Sequence, residues 1–425
     1  MTAGPTLPDD VAETLVDPRA YADGRIHDAY RWLRQNEPLG VARPKGYDPF
    51  WVATRHADIL EVSRQNELFH SGDLQTTLTN QATDALVRQK TGGSPHLVRS
   101  LVQMDAPDHP KYRLLSQAWF MPANVRTLET RIREIARASV ERMAQLGGRC
   151  DFVKDVALRY PLHVIMEILG VPEEDEARMQ MLTQELFGPQ DPDTARAAED
   201  SQEQTADALG AVLDDFYAYF ERISAERRAS PKGDLATLIA NATIDGVPIS
   251  GLEQLSYYVI VATAGHDTTS SSTAGAIWQL CEDQEQFARV KADPSLIPGL
   301  VDEAIRWVTP VKHFMRSATA DTELNGRHIA KGDWLMLCYA SGNRDEAVFE
   351  DPYRFRIDRK PNRHLAFGYG GHVCLGQHLA KLEMRIFFEE LFARLERIEL
   401  AGEPAQTQAV FVNGPKSLPL RFEMA

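Results

Sequence analysis

FGYGGHVCLG, residues 367–376, places Cys374 among four glycines just before a long amphipathic segment. In that segment apolar residues recur at intervals of three or four, which is the spacing of one helical face: Leu375, Leu379, Leu382 and Ile386. Cys374 is therefore predicted at or just before a helix N-terminus. Partial positive charge and unpaired backbone N–H groups stabilise a thiolate there.

The other cysteines help to decide what Cys374 does. The chain has Cys150, Cys281, Cys338 and Cys374, without a C-x-x-C pair, which argues against a disulfide framework and a structural zinc site. The first three are expected to be small buried hydrophobes. A thiolate in a glycine-lined loop suits an axial ligand of haem iron, because a flat group can approach closely. On these residues alone, an inert cysteine in a glycine loop stays open.

Composition excludes several classes of protein. Of 425 residues 43% are hydrophobic and 25% charged, as in soluble globular proteins, and the net charge of −15 argues against nucleic acid as a partner. The first residues lack the basic start and apolar core of a signal peptide. The longest apolar run, residues 257–265, is about half of a membrane span. We expect no membrane partner and a cytoplasmic location.

Helical periodicity dominates from about residue 120 to 310, whereas strand patterns are few. An Asn-Gly turn within residues 322–339 predicts a hairpin, and residues 409–422 predict a second short strand pair. The fold class is therefore predicted as mainly α with small β regions, in a single large domain covering residues 1–425. Residues 1–25 are expected to be loosely ordered. The polar segment 188–208 is expected to be an exposed, mobile connection.

A second informative stretch is AGHDTT, residues 264–269. Ser250 and Glu253 form a capping box that opens a helix predicted to reach about residue 283. Glycine beside consecutive hydroxyl residues is a poor helix interior, because threonine hydroxyls can bond back to the preceding turn. We expect the helix to open here.

The first stretch matches the pattern F-x-x-G-x-[HR]-x-C-x-G at Phe367, Gly370, His372, Cys374 and Gly376. This pattern is typical of the cytochrome P450 haem-thiolate monooxygenases. The chain resembles that family from about residue 25 to the end. TAGHDTTSSS, FMRSA and the closing NGPKSLPLRF are similar to the alpha-terpineol monooxygenase branch. The resemblance implies the cytochrome P450 fold and haem b (iron protoporphyrin IX). The implied cofactor-binding residues, with Cys374 as metal ligand, are His109, Arg113, Ala264, Arg316, Phe367, Gly368, His372, Cys374, Gly376 and Ala380.

The resemblance also assigns roles outside the haem loop. It makes Asp267 and Thr268 the catalytic acid–alcohol pair that delivers protons during oxygen activation. It makes Glu303, Arg306 and Arg359 a structural trio that fixes the scaffold on the cysteine side.

The implied activity is insertion of one oxygen atom of O2 into a C–H bond of a small hydrophobic compound. A monocyclic monoterpene like alpha-terpineol or an alkylbenzene like p-cymene is expected. Polycyclic aromatic, steroid or fatty-acid substrates stay open, and so does a haem-binding sensor or carrier without turnover. The expected substrate pocket consists of Ile260, Thr263, Ala264, Val311, Phe314, Phe411 and Val412.

No flavin or nicotinamide fingerprint follows the haem segment, so electrons are expected from partners. By analogy these are a [2Fe–2S] ferredoxin and its ferredoxin reductase. A docking patch of basic residues on the cysteine side is one interpretation, and simple balancing of an acidic surface is the other: Lys111, Arg113, Lys381 and Arg385. The chain is expected to be a monomer.

Overall fold

The computed structural model describes residues 4–187, 191–193 and 202–425. Most of the predicted connection 188–208 lies outside these ranges. The α-helices are α1 (Asp9–Val16), α2 (Pro18–Ala22), α3 (Arg25–Asn36), α4 (His56–Arg64), α5 (Gln81–Thr91), α6 (Asp108–Phe120), α7 (Pro122–Thr127), α8 (Glu129–Ala144), α9 (Arg159–Leu169), α10 (Glu176–Phe187), α11 (Gln202–Ala229), α12 (Leu235–Ala240), α13 (Gly251–Ala264), α14 (Asp267–Glu282), α15 (Gln284–Ala292), α16 (Ile297–Val308), α17 (Tyr339–Gly342) and α18 (Gln377–Phe392).

The strands are short. They are β1 (Leu39–Ala42), β2 (Phe50–Ala53), β3 (Phe69–His70), β4 (Arg149–Asp151), β5 (Thr243–Ile244), β6 (Val247–Pro248), β7 (His313–Ala318), β8 (Thr322–Leu324), β9 (Arg327–Ile329), β10 (Trp334–Cys338), β11 (Leu395–Leu400), β12 (Ala405–Gln406), β13 (Pro415–Ser417) and β14 (Pro419–Met424). The largest sheet has the order β1-β2-β10-β7-β3, and a second has the order β11-β14-β4. The prediction of a mainly α fold with small β regions is confirmed.

The main core is formed by helices. One large cluster of buried apolar side chains joins α8, α9, α11, α13, α14, α16 and α18. Two smaller clusters lie on the two faces of the five-stranded sheet. Since α13, α14 and α18 all contribute to the large cluster, the two motifs quoted above belong to one packed unit.

Several local predictions can be compared directly with the structure. Asn325 and Gly326, at φ 47° and 71°, form the tight turn between β8 and β9, which confirms the hairpin. Within the region of predicted helical periodicity, the chain is divided at Leu128 into α7 and α8. The N-terminal segment differs from expectation, because α1 and α2 pack on the sheet and bury Leu7 and Leu15.

The tail of the chain is joined to the segment between α16 and β7. Val311 and Val412 form an isolated antiparallel bridge. The Lys312 amide donates to the Phe411 carbonyl at 2.9 Å, and the Asn413 amide donates to the Pro310 carbonyl at 3.0 Å. These bonds bring two stretches of the predicted pocket together. Within the described ranges no helix is both long and apolar enough to cross a bilayer.

Candidate active site

The loop around Cys374 depends on its glycines. Gly368 and Gly370 adopt φ values of +67° and +74°, which side chains disfavour. A Cβ on Gly370 would also lie 2.0 Å from the Ser63 carbonyl oxygen. The Cys374 amide donates to the Phe367 carbonyl at 2.8 Å and closes the loop just before α18. The sequence prediction that Cys374 precedes a helix N-terminus is confirmed.

Cys374 has solvent-accessible surface, but the surrounding protein still desolvates its thiol. Burial raises the pKa of the thiol, while backbone N–H groups of Gly376 and Gln377 and the charge of Arg113 act in the opposite direction. The helix terminus thus favours a thiolate as predicted, but desolvation outweighs it. A bound metal cation would reverse this balance, because coordination favours the thiolate.

Four of the predicted cofactor-binding residues lie close together, namely His109, Arg113, Arg316 and His372. The His109 and His372 rings are 4.1 Å apart between centroids. Burial first, and then the charges of Arg316, His109 and Arg113, lower the pKa of His372 to about 2. Arg113 donates to the Val373 carbonyl at 2.8 Å and Arg316 to the Met315 carbonyl at 2.8 Å.

The two arginines of this cluster have no anionic partner among the described residues. Within the described part of the chain neither Arg113 nor Arg316 has a carboxylate partner at ion-pair distance, and the buried Nε2 atom of His109 has no hydrogen-bond partner. The nearest acidic contact is Asp105, 3.9 Å from His372. Unpaired buried charges are costly, so the site calls for an anionic ligand. Haem carboxylates beside an accessible thiol fit these residues.

Three further predicted cofactor residues, Phe367, Gly376 and Ala380, lie in the cysteine loop or in the first turn of α18. Phe367 packs partly buried against the main core. A Cβ on Gly376 would meet no heavy atom within 4 Å, so the start of α18 offers open space. The amide of Ala380 donates to the carbonyl of Gly376 at 2.9 Å.

The helix opening predicted at AGHDTT is confirmed. The Ser250–Glu253 capping box starts α13, which ends at Ala264, and α14 begins at Asp267. Ala264 is exposed, although Ala262 and Thr263 before it are buried. The accessible face of α13 therefore lies at the break.

Thr268 and Asp267 occupy the first turn of α14. The Thr268 hydroxyl donates to the Ala264 carbonyl at 2.9 Å across the break, which is the back-bond expected of threonine. The Asp267 side chain is 14% exposed, and burial raises its pKa. A carboxyl with a raised pKa beside a hydroxyl is suited to accept and release protons.

One site residue was missed from the sequence. Glu383 on α18 is 2% exposed and hydrogen bonds to Thr269, and burial raises the pKa of its carboxyl well above the usual value. Tyr160 donates to its backbone carbonyl at 2.9 Å. A glutamate within an apolar helical stripe was the available signal, because glutamate is almost never fully buried without a specific partner.

The predicted pocket residues divide into two groups. Phe314 and Phe411 are 5.4 Å apart between ring centroids and, like Ile260 and Val311, are only partly buried. Thr263 is 1% exposed and its hydroxyl donates to the Val259 carbonyl at 2.8 Å, so it offers no accessible surface. Val412, at 6% exposed, is mainly packed. Sequence spacing could not separate these two groups.

The predicted scaffold trio forms a buried network around one carboxylate. Arg306 donates to both Glu303 oxygens at 2.7 and 2.8 Å, and Arg359 donates to them at 3.1 Å. Glu303 and Arg306 are 0% exposed and Arg359 is 6% exposed.

Three of the four basic residues considered for docking are already paired with carboxylates. Lys111 contacts Asp245 at 2.5 Å, and Lys381 contacts Asp302 at 2.8 Å. Arg385 contacts Glu389 at 2.7 Å. These groups balance neighbouring acids at the surface.

Comparison with known proteins agrees with this geometry. The family model described as cytochrome P450 matches residues 75–420. Cytochrome P450-terp of a Pseudomonas species is 50% identical over 428 residues, covering 100% of both chains. This identity confirms the resemblance to the alpha-terpineol monooxygenase branch. Linalool 8-monooxygenase of Pseudomonas putida is 34% identical and covers 95% of this chain and 97% of its own length.

Among solved structures, CYP108D1 of Novosphingobium aromaticivorans superposes with a TM-score of 0.92. It is 46% identical and covers 99% of this chain and 100% of its own. The similarity therefore extends over the whole length and includes both motifs.

Proposed function

The chain belongs to the cytochrome P450 family, and from that premise we propose that this haem-thiolate monooxygenase hydroxylates a monocyclic monoterpene or a comparable alkylbenzene. The observation that carries the proposal is the exposed Cys374 beside Arg113 and Arg316, which have no carboxylate partner among the described residues. The apolar, partly exposed pocket residues carry the choice of substrate class.

We assign haem b to this site. Cys374 would bind the iron through its thiolate, and His109, Arg113, Arg316 and His372 would hold the propionates. When bound, the haem iron supplies the activation of O2 that permits attack on an unactivated C–H bond. Gly376 at the start of α18 and the exposed Ala264 at the end of α13 would leave room for a flat group.

The break between α13 and α14 delivers the protons that the reaction consumes. Asp267, partly exposed and with a raised pKa, takes protons from solvent and passes them toward the Thr268 hydroxyl. Thr268 is fixed by its bond to Ala264, so its hydroxyl stays at the break. Exclusion of other water from this region would limit loss of electrons to side products.

The pocket walls and the activities of relatives both support the substrate class. Ile260, Val311, Phe314 and Phe411 present apolar surface, which holds a hydrocarbon by shape. Linalool, named for one relative, is a monoterpene alcohol. A polycyclic aromatic, steroid or fatty acid remains the second candidate within the same chemistry. A sensor without turnover is set aside, because the relatives include a named monooxygenase at whole-chain coverage.

Electrons come from a redox partner, and we propose a [2Fe–2S] ferredoxin served by its reductase. The ion pairs of Lys111, Lys381 and Arg385 do not prevent docking. Exposed pairs contribute about 0–1 kcal/mol, so acidic groups of a partner can compete for these cations.

An absorption titration of the ferric protein tests the proposal. The panel contains alpha-terpineol, p-cymene, a polycyclic aromatic, a steroid and a fatty acid. We expect a saturable low-spin to high-spin Soret shift with the monocyclic compounds, followed by an oxygenated product when a ferredoxin system is added. A shift with the larger compounds alone would contradict the substrate class. Absence of a Soret band after reconstitution would contradict the haem assignment.

A further inference from the structure

His266 lies inside the break between α13 and α14 and is completely buried. Its Nε2 atom is 2.8 Å from the Leu158 carbonyl oxygen, just before α9. Its Nδ1 atom is 3.2 Å from Oδ1 of Asp267. Nδ1 has no aligned hydrogen-bond partner in this rotamer. The imidazole thus connects a fixed carbonyl on one side to the proposed proton carrier on the other.

The Leu158 contact determines which nitrogen carries hydrogen. A carbonyl oxygen only accepts, so Nε2 must be the N–H donor. Nδ1 then either has a lone pair or carries a second proton. A lone pair facing an ionised carboxylate would bring two acceptors together in a buried site, which is unfavourable. The arrangement is satisfied when one proton lies between Nδ1 and Oδ1, on either atom.

We propose that His266 is a positioning residue that keeps one proton shared with Asp267 at the start of the proton path. This inference rests on the proposed role of Asp267 in oxygen activation. His266 itself contacts neither the haem site nor the substrate in this proposal. It acts through the carboxyl group that it orients and whose proton content it sets.

The proton count balances in each cycle. When the pair gives up its proton toward the Thr268 hydroxyl, an Asp267 carboxylate and a neutral His266 with Nε2–H remain. One proton from solvent, which reaches the 14% exposed Asp267 side chain, restores the pair. No bond other than O–H and N–H changes, and no oxidant or reductant is involved.

Other titratable groups near the break have partners of their own. On α18, the buried Glu383 carboxyl bonds to Thr269. On α9, Arg159 follows Leu158 but is exposed to solvent, and the Tyr160 hydroxyl donates to the Glu383 carbonyl. Asp267 is therefore the partner that remains for Nδ1.

The alternative is that His266 only anchors the break to α9. Gly265 supports close packing there, since a Cβ on it would lie 3.0 Å from Ile165. Two substitutions separate the roles. In His266→Gln the amide nitrogen takes the place of Nε2 and can still donate to Leu158, but no group replaces Nδ1. His266→Leu removes both nitrogens and keeps the apolar bulk.

Infrared difference spectroscopy of the resting holoenzyme provides a readout that does not depend on turnover. Wild type minus Asp267→Asn isolates the carbonyl stretch of the protonated Asp267 carboxyl across a pH series. The imidazole charge favours the carboxylate, and burial favours the acid. We therefore expect the carbonyl band of protonated Asp267 to persist to higher pH in His266→Gln than in the protein with His266.

Coupling and stability complete the test. We expect His266→Gln to keep the thermal midpoint of the wild type and to lose about tenfold in product formed per electron consumed. His266→Leu should have a lower thermal midpoint as well as less product per electron. An unchanged band titration and unchanged coupling in His266→Gln would overturn the proposal and leave the anchor alone. If Asp267→Asn retained full coupling, the proposed relay would fail, whereas the infrared comparison would still decide whether the pair shares a proton.

Discussion

Asp191 and Lys416 form an ion pair in which the carboxylate is 0% exposed and both of its oxygens lie 3.0 Å from the ammonium. The Gln408 amide donates to the same carboxylate at 2.8 Å. The pair attaches residues 191–193 to the β12–β13 hairpin. That hairpin encloses the turn that carries Phe411, so the pair supports one wall of the proposed pocket.

Breaking this pair should destabilise the protein, because one charge stays buried without its partner. We expect Lys416→Met to lower the free energy of unfolding by roughly 3 kcal/mol. The double variant Asp191→Leu/Lys416→Met should recover most of the loss, since it buries no charge. Denaturant unfolding measures both. A double variant no more stable than Lys416→Met would contradict the ion-pair explanation.

The hydrogen bond from Thr268 to Ala264 leads to a prediction about coupling. Thr268→Ala removes the hydroxyl at the helix break. Protons should then no longer be delivered to the correct atom of the bound oxygen. We expect product per electron to fall about tenfold or more while electron consumption continues and peroxide accumulates. Thr268→Ser keeps the hydroxyl and serves as the matched control. Equal coupling in Thr268→Ala and wild type would show that the hydroxyl has no such role.

The Glu303 network should be sensitive to charge removal. Glu303→Gln leaves Arg306 and Arg359 buried with a neutral partner, and we expect a loss of about 3–5 kcal/mol in unfolding free energy. Arg359→Lys keeps a charge but cannot supply the same planar fork, so an intermediate loss is expected. Chemical denaturation together with haem retention on dilution checks both. A loss below about 1 kcal/mol in Glu303→Gln would mean that the network is not structural.

How far the sequence predicts the site differs from residue to residue. The Cys374 loop and the helix opening follow from local rules: glycines where the backbone needs positive φ, and hydroxyl residues that bond back along a helix. Glu303 and Arg306 share a helix face, so their contact is also local. These features depend on neighbours within a few positions, which the sequence shows directly.

The rest depends on contacts between distant segments. Nothing near Thr263 indicates that it turns into the core while Ala264 stays exposed. His266 meets Leu158, 108 positions away in the chain, and Glu383 meets Thr269. The pKa of Cys374 illustrates the same limit, since the helix terminus was predicted correctly but the larger effect of burial depends on the whole fold.

Lys312 yields a prediction about pH. It is 7% exposed, its ammonium donates to the Val308 carbonyl at 2.7 Å, and burial, aided by the charge of Arg344, lowers its pKa from 10.5 to about 7. Between these two pH values the unfolded chain binds more protons than the native protein. The free energy of unfolding should therefore rise with pH in this window, by up to about 1.4 kcal/mol per unit from this group.

Lys312→Met should remove that dependence. The variant has no ammonium to bury, so it should be more stable than wild type at pH 7, and its advantage should shrink as the pH approaches 10.5. Lys331→Met, at an exposed position, controls for the loss of one positive charge and should leave the slope unchanged. Urea unfolding at intervals from pH 6 to pH 10 measures all three proteins. Parallel curves for wild type and Lys312→Met would show that Lys312 does not release its proton within this window in the folded protein.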